Sequence, residues 1–467
     1  MTLLAILSVC AAARAETPQA GSSKKDAEQP THIGRSIKDF ALQDYLGKRH
    51  ALSDFGDSKL VVVAFLGTEC PLVKLYGERL GQMDAKYREQ GVTFLGVNSN
   101  QQDSLAEIAH HARTHKLDFP VLKDPRNEVA DQFGAERTPE IFVLDENRQV
   151  RYHGRIDDQY FYERQRADAE TNYLADALDA LLAGKQVALA ETEVVGCHIG
   201  RLLTPDESSS VTYSKQISRI FQQHCMSCHR QGEIAPFALT DYDEVVGWAE
   251  MIDEVVREQR MPPWHADPRH GQFKNDIRLS DEEKELIYAW VNAGAPRGNP
   301  EDLPPPRQFV DGWRIGEPDQ VLKMAEAPFH APARGEIKYQ YFVVDPGWEE
   351  DKYIQAAEAR AGNREIVHHI IVAHTARAAA RLQADGLHSD WITAMAPGSL
   401  PLVLPAGYAK LVPAGSKLIF QMHYTPNGSP AEDLSYVGFK FADPKTVKRI
   451  VGTNKAFNTK FVIPPGE

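Results

Sequence analysis

Three groups of side chains in this sequence have types and spacings suited to redox chemistry. The tightest is His224-Cys225-Met226-Ser227-Cys228-His229. Two cysteines separated by two residues and followed at once by histidine are the attachment signature of c-type haem. The thiols add to the haem vinyl groups, and the histidine binds iron from one side. This spacing puts both sulfurs and the imidazole on one short helical turn. His224, Cys225, Cys228 and His229 are also zinc ligands by type, but four ligands within six residues strain a tetrahedron, and no second cysteine pair follows. Met261, in Met261-Pro262-Pro263, is the candidate for the second axial position, because the prolines hold the loop extended and aim the side chain. A packing methionine is the plainer reading, and His265 is the runner-up ligand.

The second group centres on Cys70 in Gly67-Thr68-Glu69-Cys70-Pro71. The apolar, β-branched run Leu60 to Leu66 precedes it, as expected of a strand buried on both faces. An amphipathic helix follows, with Leu72, Leu75, Leu80 and Met83 on or near one face. A cysteine where a strand gives way to a helix faces unpaired backbone N–H groups and the positive end of the helix dipole. Both favour the thiolate, the reactive form. The plainer reading is a buried, inert thiol. Cys197 lies far downstream and is either a resolving partner or an ordinary linker cysteine.

The third group is histidine. His368-His369 interrupt the apolar run Ile366 to Val372, and His423 sits in a second strand, Leu418 to Tyr424. A buried imidazole costs free energy unless it is hydrogen-bonded or metal-bound. Strand neighbours point to opposite faces, so one ion uses both only where the strand is distorted or at its end. Three neutral imidazoles suit copper or zinc. Two satisfied core histidines and an unrelated third are the alternative. His374 and His388 read as ordinary polar residues.

Elements must carry these groups. After Cys70, strands are expected at Val92 to Val97, Phe119 to Leu122, Ile141 to Leu144 and Gln149 to Tyr152. The last two form a hairpin around Asp145-Glu146-Asn147-Arg148, and helices fall at about 104–115 and 173–182. Strands alternating with helices give an α/β sheet. Around the cysteine pair, Ile217, Ile220 and Phe221 mark a helix that delivers the motif. Ser280-Asp281-Glu282-Glu283 is a capping box that opens a helix striped by Leu286, Ile287, Trp290 and Val291, ended by Gly294 and Pro296. Beyond the Pro-rich stretch 299–317 come short strands with Gly- and Pro-rich turns, including Tyr339 to Val344, Glu365 to Val372, Leu411 to Val412 and Val437 to Phe441, which argue for an antiparallel sandwich.

The chain has 467 residues, 42% hydrophobic and 25% charged, a globular composition sized for about three domains. A net charge of −13 without a long basic cluster is a poor match for phosphate backbones, so nucleic acid is not expected as a partner. Five cysteines exclude a disulfide scaffold. Leu3 to Ala12 followed by Ala13-Arg14-Ala15 resembles a signal peptide with its cleavage site, so a periplasmic or secreted location is expected. A buried N-terminal helix is the alternative. No later run is long enough to span a membrane.

Each segment also resembles a known family. VVVAFLGTECP, FPVLKD and ERTPEIFVLD are similar to the thioredoxin-like superfamily near its alkyl hydroperoxide reductase/thiol-specific antioxidant (redoxin) branch. That resemblance implies that Pro139, after Thr138, is a cis-proline facing Cys70. Val73 stands where a C-x-x-C enzyme has its second cysteine, and Val63 and Gly67 stand where a peroxiredoxin has Pro and Thr. The middle segment resembles a small class I cytochrome c. IVHHIIV, ITAMAPG, LPAGYAKLVPAGSKLIFQMHY and FVIPPGE resemble the N-terminal half of the copper type II, ascorbate-dependent monooxygenases, the peptidylglycine α-hydroxylating and dopamine β-monooxygenase family. This implies that His368, His369 and His423 hold the electron-transferring copper. The family's oxygen-activating second domain is not in this sequence, which reads as truncated at Glu467, and no cysteine follows Cys228 to form its disulfides.

The expected architecture is multi-domain: an α/β thioredoxin-like fold, then a small all-α cytochrome c, then an all-β sandwich. The boundaries are a signal peptide at 1–15, a flexible lead-in at 16–32, a thiol domain at 33–190, a linker at 191–210, a haem domain at 211–298, a Pro-rich linker at 299–317 and a copper domain at 318–467. The leading functional expectation is copper-dependent hydroxylation of a small-molecule substrate with O2, or the N-terminal part of such an enzyme. Electrons would come from ascorbate or another redox protein, with haem c feeding copper. The alternatives are a thiol peroxidase or disulfide reductase centred on Cys70, and a non-catalytic haem and copper electron carrier.

Overall fold

The run Leu60–Phe65 forms the middle of a seven-stranded sheet, and every one of its residues is buried, which is why it lacks a polar face. The computed structural model describes residues 31–162, 164–264, 266–273, 275–310, 312–375, 390–453, 460 and 462. The sheet order is Arg49–Ala51, Ala41–Asp44, Val121–Lys123, Val92–Asn98, Leu60–Phe65, Glu140–Leu144, Val150–Gly154. Leu60–Phe65 pairs in parallel with Val92–Asn98 and antiparallel with Glu140–Leu144. The expected hairpin is present: the Asp145 carboxylate accepts the backbone N–H groups of Asn147 and Gln149, and Arg148 takes φ 58° at the turn. The strand expected at 119–122 runs instead from Val121 to Lys123. Pro120 lacks an N–H, and its carbonyl alone joins the sheet, at 2.8 Å from Gly96 N. Helices Leu105–Thr114, opened by a Ser104/Glu107 capping box, and Tyr173–Leu182 lie where the pattern placed them.

The stretch 191–210, read as a linker, contains a strand. Cys197–His198 pairs antiparallel with Arg137–Thr138. At the end of the stretch read as a lead-in, His32 bonds to Glu191; residues 16–30 lie outside the described residues. The signal-peptide segment 1–15 lies outside the described residues.

In the second segment, one π-helical turn, Tyr213–Ile217, leads into helix Ser218–His224. Helices Tyr242–Val246, Ala249–Arg257 and Asp281–Asn292 follow, the last opened by the Ser280/Glu283 capping box. Trp290 is fully buried and donates from Nε1 to the Pro296 carbonyl at 3.1 Å. The core here is continuous with that of the α/β sheet: Tyr213, Phe221, Trp248 and Trp290 belong to the same cluster as Leu80 and Tyr152. The first two segments therefore pack as one body.

The third segment is built from two antiparallel sheets around one core that includes Ile354, Ile370, Phe420 and Phe439. One sheet runs Gln340–Val344, Lys417–Tyr424, Val367–Thr375, Asp390–Met395. In the other, Lys352–Arg360 is central and pairs with Tyr436–Phe441, Tyr408–Val412 and Leu402–Val403. The sequence KYIQAAEAR is rich in helix formers, and it forms a strand because both its edges are paired. No helix among the described residues is long and apolar enough to cross a membrane.

Candidate functional site

Cys70 is the residue just before helix Pro71–Arg88, with Pro71 at the first helical position. Its Sγ lies 3.0 Å from the carbonyl of Thr138. The Thr138–Pro139 peptide is cis, as the resemblance implied for Pro139. Because Cys197 pairs with Thr138 in register, its thiol reaches Cys70 from the far side of the same loop. Burial alone would push the Cys70 thiol up. The Cys197 thiol and N–H, the Val73 N–H and Thr138 more than offset it, lowering the value to about 6. The proton stays on Cys197, which is raised by the Cys70 sulfur first and by burial second. The Thr138 hydroxyl is buried without a hydrogen-bond partner while Cys70 is a thiol, so a donor stands ready for the thiolate. A nucleophile and a proton-bearing partner thus sit together although no C-x-x-C spacing connects them.

The approach of Cys197 depends on its neighbour. A Cβ on Gly196 would lie 2.1 Å from the Thr138 carbonyl oxygen, which is backbone and cannot swing away. Gly196→Ala should therefore displace Cys197. The expected result is a Cys70 that still reacts with alkylating agents, while the yield of the Cys70–Cys197 disulfide falls to near zero in peptide maps of oxidised protein.

A charged hub lies behind Cys197. Glu254, on helix Ala249–Arg257 of the second segment, accepts from Arg137 at 2.6 Å and from His198 at 2.7 Å, and also pairs with Arg260. Burial opposes its charge, but Arg137 and His198 hold its carboxyl below the ordinary range. Arg137 also donates to the Gly196 carbonyl at 2.9 Å. Sequence reasoning missed Arg137, His198 and Glu254, because only the tertiary fold brings them together.

In the second segment, the backbone N–H groups of Cys228 and His229 both donate to the Cys225 carbonyl, which confirms the single helical turn. His229 Nδ1 lies 3.1 Å from the Phe237 carbonyl, so Nδ1 carries the hydrogen and Nε2 presents its lone pair. Burial holds His229 neutral and pushes the Cys225 thiol up to about 12. Two thiols beside an oriented imidazole fit a c-type haem. They do not fit the four-ligand zinc alternative, because both His224 nitrogens are engaged, with the Ile277 carbonyl at 3.1 Å and Glu283 at 3.0 Å. Met261 is 42% exposed and follows Arg260 of the hub. The Met261–Pro262 peptide is cis. His265 lies outside the described residues.

In the third segment, the register between Val367–Thr375 and Lys417–Tyr424 shifts between Val367 and His369. This is the local distortion that adjacent strand histidines need to serve one ion. His369 pairs with His423, and His368 Nδ1 lies 3.2 Å from Nδ1 of each. Burial, then His423 and His368, lower His369 to about 4. Burial, then His368, lower His423. Three imidazoles converging on one point are a metal-binding donor set. His374 faces Asp390 at 3.9 Å and is no part of this set, and His388 lies outside the described residues.

The third segment touches the other two through residues that flank these centres. Arg364, just upstream of His368, pairs with Glu233, which also holds Arg230 next to the cysteine motif at 2.5 Å. Arg334 pairs with Glu78 on the helix that Cys70 opens, and Gly428 is pressed against the Lys74 carbonyl of that helix.

The fold of the first segment defines a thioredoxin-like redoxin domain. Residues 33–153 match the AhpC/TSA family. The chain is similar to the thiol-disulfide oxidoreductase ResA of Geobacillus thermodenitrificans, 29% identical over 119 residues, which is 26% of this chain and 67% of that protein. ResA of Bacillus thuringiensis subsp. konkukian is 27% identical over 123 residues, covering 26% and 69%. Among solved structures, a hypothetical protein of Sinorhizobium meliloti 1021 is 32% identical, covering 36% of this chain and 94% of that one, with a TM-score of 0.35.

Proposed function

We propose that this protein is an exported thiol–disulfide oxidoreductase in which Cys70 attacks a substrate disulfide and Cys197 resolves the product. The observation that carries this reading is the placement of Cys197 opposite Thr138, whose carbonyl lies 3.0 Å from Cys70 Sγ, so that the two thiols shift one another. The named activity of the ResA relatives supports it. The Cys70 thiolate attacks one sulfur of the substrate disulfide; that bond forms as the substrate S–S bond breaks, and the departing sulfur takes a proton from solvent. Cys197 then loses its proton to solvent and attacks Cys70 Sγ, closing the Cys70–Cys197 bond and releasing the second substrate sulfur, which is protonated. Two electrons pass to the substrate, and an external dithiol restores the pair by the reverse exchange. Reduction of a small peroxide by the same thiolate is the neighbouring reaction of this fold.

Cys225, Cys228 and His229, with Met261 as a further candidate ligand, would hold haem c, and His368, His369 and His423 would hold copper; both groups supply one-electron transfer when bound. A second reading, favoured by the convergence of the three Nδ1 atoms, makes the third segment the electron-transfer half of a copper monooxygenase, with O2, a small-molecule substrate and ascorbate or a redox protein as donor.

The thiol reading is tested by equilibrating the full chain in graded glutathione buffers, trapping thiols and mapping peptides. Cys70 and Cys197 should disappear together into one linked peptide. If both remain separate free thiols under oxidising conditions, the reading fails.

A further inference from the structure

His153 lies on the strand Val150–Gly154, buried and stacked on Phe142. Its Nε2 is 2.8 Å from Glu140 Oε1. A carboxylate only accepts, so Nε2 carries the hydrogen. Glu140 is itself fixed, because its other oxygen accepts the backbone N–H groups of Glu136 and Arg137, each at 2.8 Å. In a neutral ring the Nδ1 lone pair then faces a second carboxylate, Glu191 Oε1, at 3.5 Å. Two acceptors face one another there, and a positive charge must lie between them. His32 completes the group, with Nδ1 3.1 Å from the same Glu191 oxygen and a ring centroid 3.9 Å from that of His153. With protons alone, His153 would have to be an imidazolium packed against the His32 ring at that distance. A single divalent ion meets the lone pairs and the carboxylate together, and the ligand atoms of the three residues lie within 4.8 Å of one another.

We propose that His32, His153 and Glu191 form a binding site for a divalent first-row metal ion, best matched to Zn2+, with Glu140 orienting His153 from behind. Two imidazoles and one carboxylate are an established zinc donor set that leaves a fourth position for water. A carboxylate behind a ligating imidazole fixes the tautomer that metal binding needs. The position in the fold gives the ion a task. Glu191 bridges to His153 at the start of the segment that delivers Cys197, and Glu140 follows Pro139 directly. The ion clasps that segment to the sheet beside the Cys70 loop. The site stands whether or not the thiol reading holds.

The test uses the full chain and Zn2+ alone, with chelator competition for affinity, thermal unfolding, and anomalous diffraction at the zinc edge to locate the ion. An anomalous peak is expected between His32, His153 and Glu191. Zinc should raise the unfolding temperature of the native chain by more than that of His32→Ala, which keeps only the His368, His369 and His423 donors. His32→Ala and Glu191→Gln should remove this peak and leave any zinc on His368, His369 and His423 in place. Glu140→Gln should weaken binding at this site about 10–100-fold. If Glu140→Gln does not fold, the His32 and Glu191 variants decide alone. No peak at saturating zinc, or a zinc stoichiometry unmoved by both variants, overturns the proposal and makes His153 an imidazolium held between two carboxylates.

Discussion

Cys70→Ser should reduce disulfide-exchange turnover to background, whereas Cys197→Ala should arrest the protein as a stable mixed disulfide with its substrate. The two variants fail differently because the sulfurs have different tasks: one attacks, the other releases. The pH dependence separates this from a merely structural cysteine pair. With Cys70 lowered to about 6, its alkylation rate should rise through pH 6 and level off above it. Removing the Cys197 thiol takes away the leading donor that opposes burial, so the midpoint should move upward in Cys197→Ala, each unit corresponding to about 1.4 kcal/mol of lost thiolate stabilisation. Iodoacetamide kinetics across pH 4–9 in both proteins measure this. Identical midpoints would mean that the two sulfurs do not share a proton.

The second large effect concerns the histidines. In full-length His32→Ala with haem attached and Cys70 and Cys197 oxidised, so that only the three-histidine group is left to bind, one Cu(II) should bind with nitrogen hyperfine coupling from three imidazoles. His369→Ala should leave two and weaken binding by more than about 100-fold, beyond what loss of a supporting residue costs. The lowered value of His369, about 4, sets the pH window. The contribution of this one ring to copper affinity should persist as pH falls from 7 and be lost as pH approaches 4, where protons compete for it. Electron paramagnetic resonance of the titrated protein reads both outcomes. Copper coordination unchanged by His369→Ala would remove this ring from the donor set.

How much could be read from residues alone differs between the sites. Cys70 was legible because a fully apolar strand must end before a helix begins, and the cysteine stands at that junction. The His368-His369 pair was legible as chemistry, but its geometry was not, since a register shift depends on how the partner strand is seated. Cys197 stayed ambiguous. Its importance comes from pairing with Thr138, a contact distant along the chain, and the short Cys197–His198 strand leaves no periodic signature. Lys352–Arg360 was missed for the opposite reason: its local preference is helical, and tertiary pairing overrides it. The hub of Arg137, His198 and Glu254 combines both difficulties, with ordinary surface residue types drawn from three separated stretches.

Cys70 is only 1% exposed, and the third segment rests on the helix it opens through Arg334 and Gly428. A sulfur so enclosed is shielded from irreversible overoxidation, because a bulk oxidant reaches it no more easily than a client does. Under the thiol chemistry proposed above, a sulfur so enclosed favours a slender peptide or a small molecular disulfide over the disulfide of a folded protein.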